Sequence, residues 1–175
     1  ITLDLNTLVN FAGLVIVGNS GTGAVTIGAG GVDLSAVTSG AANQSFTANI
    51  LGTSTSTSAL VLTNAIKTKG TAATYLSAGT IDGSGLITTP SITLLANTGI
   101  GETTALNLAS QAIAADSKAG KIVINNASAS AVTVSSLTTT GTPTTIVSNQ
   151  KRIINFAQVG GGARRRSRGR SARPA

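Results

Sequence analysis

The amino-acid sequence predicts an all-β chain wound as a right-handed, single-stranded parallel β-helix, a β-solenoid of about 20 residues per coil. Three observations predict it. The 175 residues include 27 Thr, 19 Ser and 21 Gly, but only three Phe, one Tyr and no Trp, Met, Cys or His. The apolar content is Ala, Val, Ile and Leu, which suits a narrow core of thin layers, where a globule would fill its centre with large aromatics. Short β-branched runs bounded by Gly, Asn, Ser or Thr recur along the chain, the signature of strands and turns. Phrases also return at a long interval: Gly79-Thr80-Ile81 and Gly120-Lys121-Ile122 lie 41 residues apart, with Gly99-Ile100 placed 20 after Gly79.

Strands are expected at residues 14–17, 24–27, 46–51, 59–63, 92–96, 120–124, 131–134 and 145–148. Asp82-Gly83, Asn97-Thr98-Gly99 and Asn125-Asn126 are the expected turns, because these residue types tolerate the backbone conformations that turns require. Interior Gly and abundant Thr count against helix everywhere. Residues 104–118, with Ala105, Leu106, Leu108, Ala109 and the alanines near 112–115, form the one segment where a short helix competes. Many short strands fit an antiparallel sandwich as well as a solenoid. The solenoid is favoured because each strand then pairs only with those above and below it, so that small stacked residues fill the interior. Ile81, Ile92, Leu94, Ile122 and Ile124, at alternate positions in their strands, are the expected core. Ser, Thr and Asn are expected to form ladders up the outside.

The net charge of +7 is unevenly spread. Residues 1–150 carry four Lys against all five acids (Asp4, Asp33, Asp82, Glu102, Asp116), whereas residues 151–175 carry Lys151, Arg152 and six further Arg. The expected organisation is therefore a β-helix repeat region over 1–156 and a Gly/Arg-rich disordered tail over 157–175. The break in composition also fits a carboxyl end foreign to the repeats. Because the sequence starts at Ile1 without a leader, a fragment of a longer solenoid is expected. No apolar run reaches the length of a membrane-spanning helix, and the scarcity of aromatics argues against a membrane barrel with its aromatic girdles. The lack of Cys excludes a disulfide scaffold and suits a chain exported unfolded.

The stretch from Gly79-Thr80-Ile81-Asp82-Gly83, through Ile92-Thr93-Leu94-Leu95-Ala96, Gly99-Ile100-Gly101 and Leu106-Asn107-Leu108 to Gly120-Lys121-Ile122-Val123-Ile124-Asn125-Asn126, carries a resemblance. It resembles the repeat region of filamentous-haemagglutinin-like large exoproteins, bacterial adhesins exported by two-partner secretion. The similarity covers roughly residues 10–150 and is best over 79–134. It implies a right-handed parallel β-helix, export through an outer-membrane secretion partner, a place on the exterior of a Gram-negative cell, and attachment to host cells, other bacteria or matrix. The family's amino-terminal secretion domain is not recognisable in these residues.

No catalytic, cofactor-binding or metal-binding residue is expected, and no cofactor. Triads and zinc sites need His or Cys, which the chain lacks. β-Helix lyases and hydrolases need clustered carboxylates, and the five acids are at least 14 residues apart. Stacking of coils brings at most Asp82 and Glu102 onto adjacent rungs, where a solvated pair on a turn is the expectation. Gly28-Ala29-Gly30-Gly31-Val32-Asp33 matches a calcium-binding glycine–aspartate repeat only once and reads as a turn, as does Gly18-Asn19-Ser20-Gly21-Thr22-Gly23, which lacks the lysine of a phosphate loop. Thr53-Ser54-Thr55-Ser56-Thr57 has the alternation of an ice-binding face without its repetition from rung to rung. Asn43-Gln44-Ser45 and Asn126-Ala127-Ser128 fit the N-glycosylation sequon. The Arg-rich tail has the charge to contact a polyanion, but no aromatic to stack on bases, so nucleic acid is not the expected partner.

Overall fold

Thr, Val and Ile lose side-chain freedom in a helix and fit a pleated strand, and the described residues follow that preference. The computed structural model describes residues 2–3, 13–17, 23–36, 41–50, 57–139 and 152–156. Apart from a 3-10 turn at Leu34–Ala36, its regular elements are strands. In chain order they are β1 (Thr2–Leu3), β2 (Gly13–Val17), β3 (Val25–Ile27), β4 (Val32–Asp33), β5 (Ser45–Asn49), β6 (Ala59–Leu62), β7 (Ile66–Lys67), β8 (Thr74–Asp82), β9 (Leu86–Thr88), β10 (Ser91–Ile100), β11 (Leu106–Ala109), β12 (Ala112–Ser117), β13 (Ile122–Asn126), β14 (Thr133–Thr138) and β15 (Arg152–Phe156).

Each described strand pairing is parallel, and none joins consecutive strands. That pattern is a stack of coils, each presenting three faces. The first face stacks β2, β5, the start of β8, the start of β10, β12 and β14. The second stacks β1, β3, β6, the end of β8, the end of β10 and the start of β13. On the third lie β4, β7, β9, β11 and the rest of β13, with β15 laid along the whole of β13. The β-solenoid expected from the sequence is the architecture found.

The core is a set of columns one side chain wide. On the second face Val25, Leu60, Ile81, Ile100 and Ile122 stand in register, all buried. Val32, Ile66, Ile87 and Leu108 do the same on the third. On the first face the columns trade volume between layers: Phe46 stacks on Thr74, and Ala48 on Leu76. All five residues expected in the core are there, with Ile81, Leu94, Ile122 and Ile124 at 0 % exposure and Ile92 at 2 %. Alternate positions face opposite sides of a strand, so an aliphatic residue at every second place leaves no other side for the core.

The 20-residue interval holds for the central coils and fails toward the amino end. Ile66 to Ile87, Ile87 to Leu108 and Ile92 to Ile113 are each 21 residues apart in register. Val25 to Leu60 spans 35 and Phe46 to Thr74 spans 28. The extra residues fall between the strands of successive faces, as in 34–44 between β4 and β5 and 50–58 between β5 and β6, whereas β8 runs from the first face to the second without a break.

Two expected turns and the competing helix need correction. Asn97-Thr98-Gly99 lies inside β10, where the chain rounds a corner with a shift of register between Ala96 and Gly99. Asn125-Asn126 ends β13 as strand. Both sites are corners of the coil, where no reversal of direction occurs; at the second, the inward Asn126 amide satisfies the main chain of Ser110. Residues 104–118 contain β11 and β12. Pairing of β12 with β10 on one side and β14 on the other outweighs the weak helical preference of its alanines. Asp82-Gly83 is a turn only in part: Asp82 ends β8 as strand, and Gly83, at a φ of 129°, leads into the bend at Ser84. The strand expected at 145–148 and the tail at 157–175 lie outside the described residues, as do most of the Gly18–Gly23 and Thr53–Thr57 motifs.

Burial of an isoleucine contributes about 1.5–3 kcal/mol, and a charge in its place has no partner in an aliphatic column. Ile122→Asp is therefore expected to lower stability by at least about 3 kcal/mol, read as a fall in the urea midpoint. A midpoint equal to that of the parent would place Ile122 outside the core.

Candidate functional site

Among the described residues, most of the buried polar side chains lie at the corners of the coil. Where the third face turns into the first, Thr68, Thr89 and Ser110 are buried at intervals of 21 residues. The Thr68 and Thr89 hydroxyl oxygens are 3.1 Å apart. The Thr89 hydroxyl reaches the Ser91 carbonyl at 3.0 Å and the Ser110 hydroxyl reaches the Ala112 carbonyl at 3.0 Å, the same two-residue relation on successive coils. This is a hydroxyl ladder inside the corner; on the outer surface, where the sequence places a ladder, the Asn125 amide donates to Asn107 Oδ1 on the neighbouring coil at 3.2 Å. A buried carbonyl without a donor costs about 1–3 kcal/mol, which is what the ladder avoids.

On the next coil the main chain leaves the ladder early, and Asn126 takes its place. Its side chain is 2 % exposed. Asn126 Oδ1 accepts from the Ser110 N–H at 3.0 Å, and Nδ2 donates to the Ser110 carbonyl at 2.9 Å. The second sequon is thus closed: its acceptor amide is buried and both polar atoms are engaged. Residues 127–130 swing outward and form one wall of an open cleft of about 460 Å³. The other walls include Gly70, Thr88, Pro90 and Gln111, so the cleft is lined by uncharged groups.

The corner between the second and third faces holds the carboxylates. Asp82 Oδ1 accepts from the N–H groups of Thr103 and Thr104, each at 3.0 Å. Glu102 Oε1 accepts from the Lys121 N–H at 3.0 Å. Stacking does place the two acids on adjacent coils, but each binds main chain of the coil above. Glycine makes the approach possible: a Cβ on Gly120 would strike the Thr98 carbonyl and the Glu102 carboxylate, and one on Gly101, at φ +66°, the Val123 carbonyl. The recurring Gly phrases of the sequence mark these close approaches. Among the described residues no three His, Cys, Asp or Glu side chains gather where they could hold a metal ion.

Asp33 serves a local turn. Its Oδ1 accepts from the Ser35 hydroxyl and from the Ser35 and Ala36 N–H groups, capping the 3-10 turn. The Ser35 hydroxyl holds its carboxyl below the ordinary value of 3.8, helped by Lys67 in register on the next coil. Gly28-Ala29-Gly30-Gly31 ahead of it is a turn, closed by the Gly31 N–H to Gly28 carbonyl bond of 2.9 Å.

These features define a β-solenoid in which corner side chains, Asn126, Asp82 and Glu102 among them, bind the main chain of neighbouring coils. No helix among the described residues is long and apolar enough to cross a membrane. The chain matches no family model, no curated protein and no solved structure. Of what the resemblance to filamentous-haemagglutinin-like exoproteins implied, the solenoid is the part the structure carries.

Replacing Asp82 with Ala should cost about 1 kcal/mol and raise amide exchange at Thr103 and Thr104 while leaving β8 and β10 protected. Unchanged exchange at those two amides would show that the carboxylate does not hold them. For Asp33 the sign follows from a depressed folded value: its contribution is complete above pH 3.8 and disappears as pH falls through that lower value. Asp33→Asn should accordingly be less stable than the parent at neutral pH and match it in strong acid, in parallel thermal melts. A difference that persisted in strong acid would point to shape rather than charge.

Proposed function

We propose that the chain is a segment of a secreted β-solenoid that serves as an adhesive or structural surface at the exterior of a Gram-negative cell, and not as an enzyme. The observation that carries this reading is the axial stack itself. Three faces continue from coil to coil, and the two acids that come nearest to a catalytic pair, Asp82 and Glu102, are both engaged with main-chain N–H groups. The outer faces offer hydroxyls and amides in register, among them Thr47, Tyr75 and Thr93 on the first face and Asn107 and Asn125 on the third. Such rows make an extended surface for attachment to host cells, other bacteria or matrix. Export through an outer-membrane secretion partner follows from the family resemblance of residues 79–134.

The cationic segment at 164–173 supports a second reading, contact with a polyanion through the tail, and the shared β-helix supports a third, a polysaccharide lyase or hydrolase. One experiment separates them. Beads coated with the chain, intact or lacking residues 157–175, are presented to epithelial cells, bacteria and matrix proteins at rising salt. Adhesion predicts retention that survives both the truncation and the salt. Retention lost with the tail and with salt supports the polyanion, cleavage of an acidic polysaccharide in the presence of Ca²⁺ supports the enzyme, and failure to bind any of the surfaces sinks the adhesive reading.

A further inference from the structure

The two sequons of the chain differ in a way that only the fold reveals, and from that difference we infer that Asn43 is a site of N-linked glycan attachment while Asn126 is not. Asn43 lies on the bend that leads into β5 and is exposed. Its Oδ1 accepts from the Thr71 N–H at 2.8 Å and from the Thr71 hydroxyl at 3.1 Å. Gly70, at φ +65°, has no Cβ and so leaves room for that amide. The carbonyl half of the side chain is thereby fixed to the neighbouring coil. Nδ2, the atom that takes a sugar, has no hydrogen-bond partner among the described residues. Ser45, the hydroxyl residue of the sequon, opens β5 and is half-buried, two residues away along extended chain.

Asn126 presents the opposite case. Its Nδ2 donates to the Ser110 carbonyl at 2.9 Å inside a corner where the residue is 2 % exposed. A sugar there would have to displace the hydrogen bonds that end the hydroxyl ladder. At Asn43 a glycan would extend into solvent beside the bend and touch no aliphatic column.

The step requires an activated sugar, a glycosyl phosphate carried on a nucleotide or a lipid, and a transferase. A bond forms between Asn43 Nδ2 and the anomeric carbon, and the bond from that carbon to phosphate oxygen breaks. The phosphate leaves with the electron pair, and one amide proton passes to a base of the transferase. This inference does not depend on the adhesive reading.

The test uses the folded full chain with a nucleotide-sugar donor and a soluble N-glycosyltransferase chosen because it modifies peptides of residues 38–48 and 121–131 alike. Intact mass should rise by one glycosyl unit, mapped to Asn43, with the thermal midpoint of the chain retained. Asn43→Gln should abolish the gain. Ser128→Ala, which removes the second sequon and leaves the buried amide in place, should keep it. A folded chain that takes no sugar at Asn43, or takes it at Asn126 to a similar extent, overturns the inference.

Discussion

Everything in this molecule depends on one constraint: each strand bonds only to the strand directly above and the strand directly below. Parallel ladders satisfy the main chain along the axis, so a coil can be one strand thick. The interior is then whatever space three such walls enclose. Each coil sends two or three alternate side chains into that space from a wall, as Ile92, Leu94 and Ala96 do from the first, and rows stacked so closely form aliphatic columns with room for few aromatics. Phe46 fits because the layer next to it supplies Thr74, a smaller residue in the same column.

The same constraint moves the difficulty to the corners. On the flat faces both hydrogen-bonding groups of each peptide find partners automatically. At a corner the chain changes direction and some partners are lost. The molecule restores them with side chains of three kinds: hydroxyls within the corner at Thr68, Thr89 and Ser110, an amide at Asn126, and carboxylates at Asp82 and Glu102. Each reaches a neighbouring residue or coil without adding bulk to the core.

This division accounts for what the sequence made legible. The faces were readable, because strict alternation around Ile81, Ile92, Leu94, Ile122 and Ile124 has only one physical meaning. The corners were not. An asparagine that closes a turn and one that replaces a peptide group are the same letter, so Asn97 and Asn126 read as turns although both are buried. The Ala-rich run around 112–115 was ambiguous for a related reason: local preference is weak there, and its partners lie some 21 residues away on either side, Ile92 below Ile113 and Val134 above it. Coil length was readable only where it is constant. The longer stretches between amino-terminal strands, 34–44 and 50–58, hide the period there, while the pairing of the strands on each face is kept. As for the site, the lack of His and Cys narrowed the chemistry at once, but the closure of one sequon and the openness of the other depend on contacts 16 and 28 residues away.

The amide of Asn126 has a consequence for how such a chain changes over time. By imitating a peptide group it works as a splice: a coil can leave the stack early, make an excursion such as 127–132, and rejoin at β14 with the layer beneath still fully bonded. Residues can then be gained or lost in that excursion without a compensating change elsewhere in the coil. A solenoid with such splices is modular at its rim and conservative on its walls, so new surface can be grafted onto an unaltered shaft.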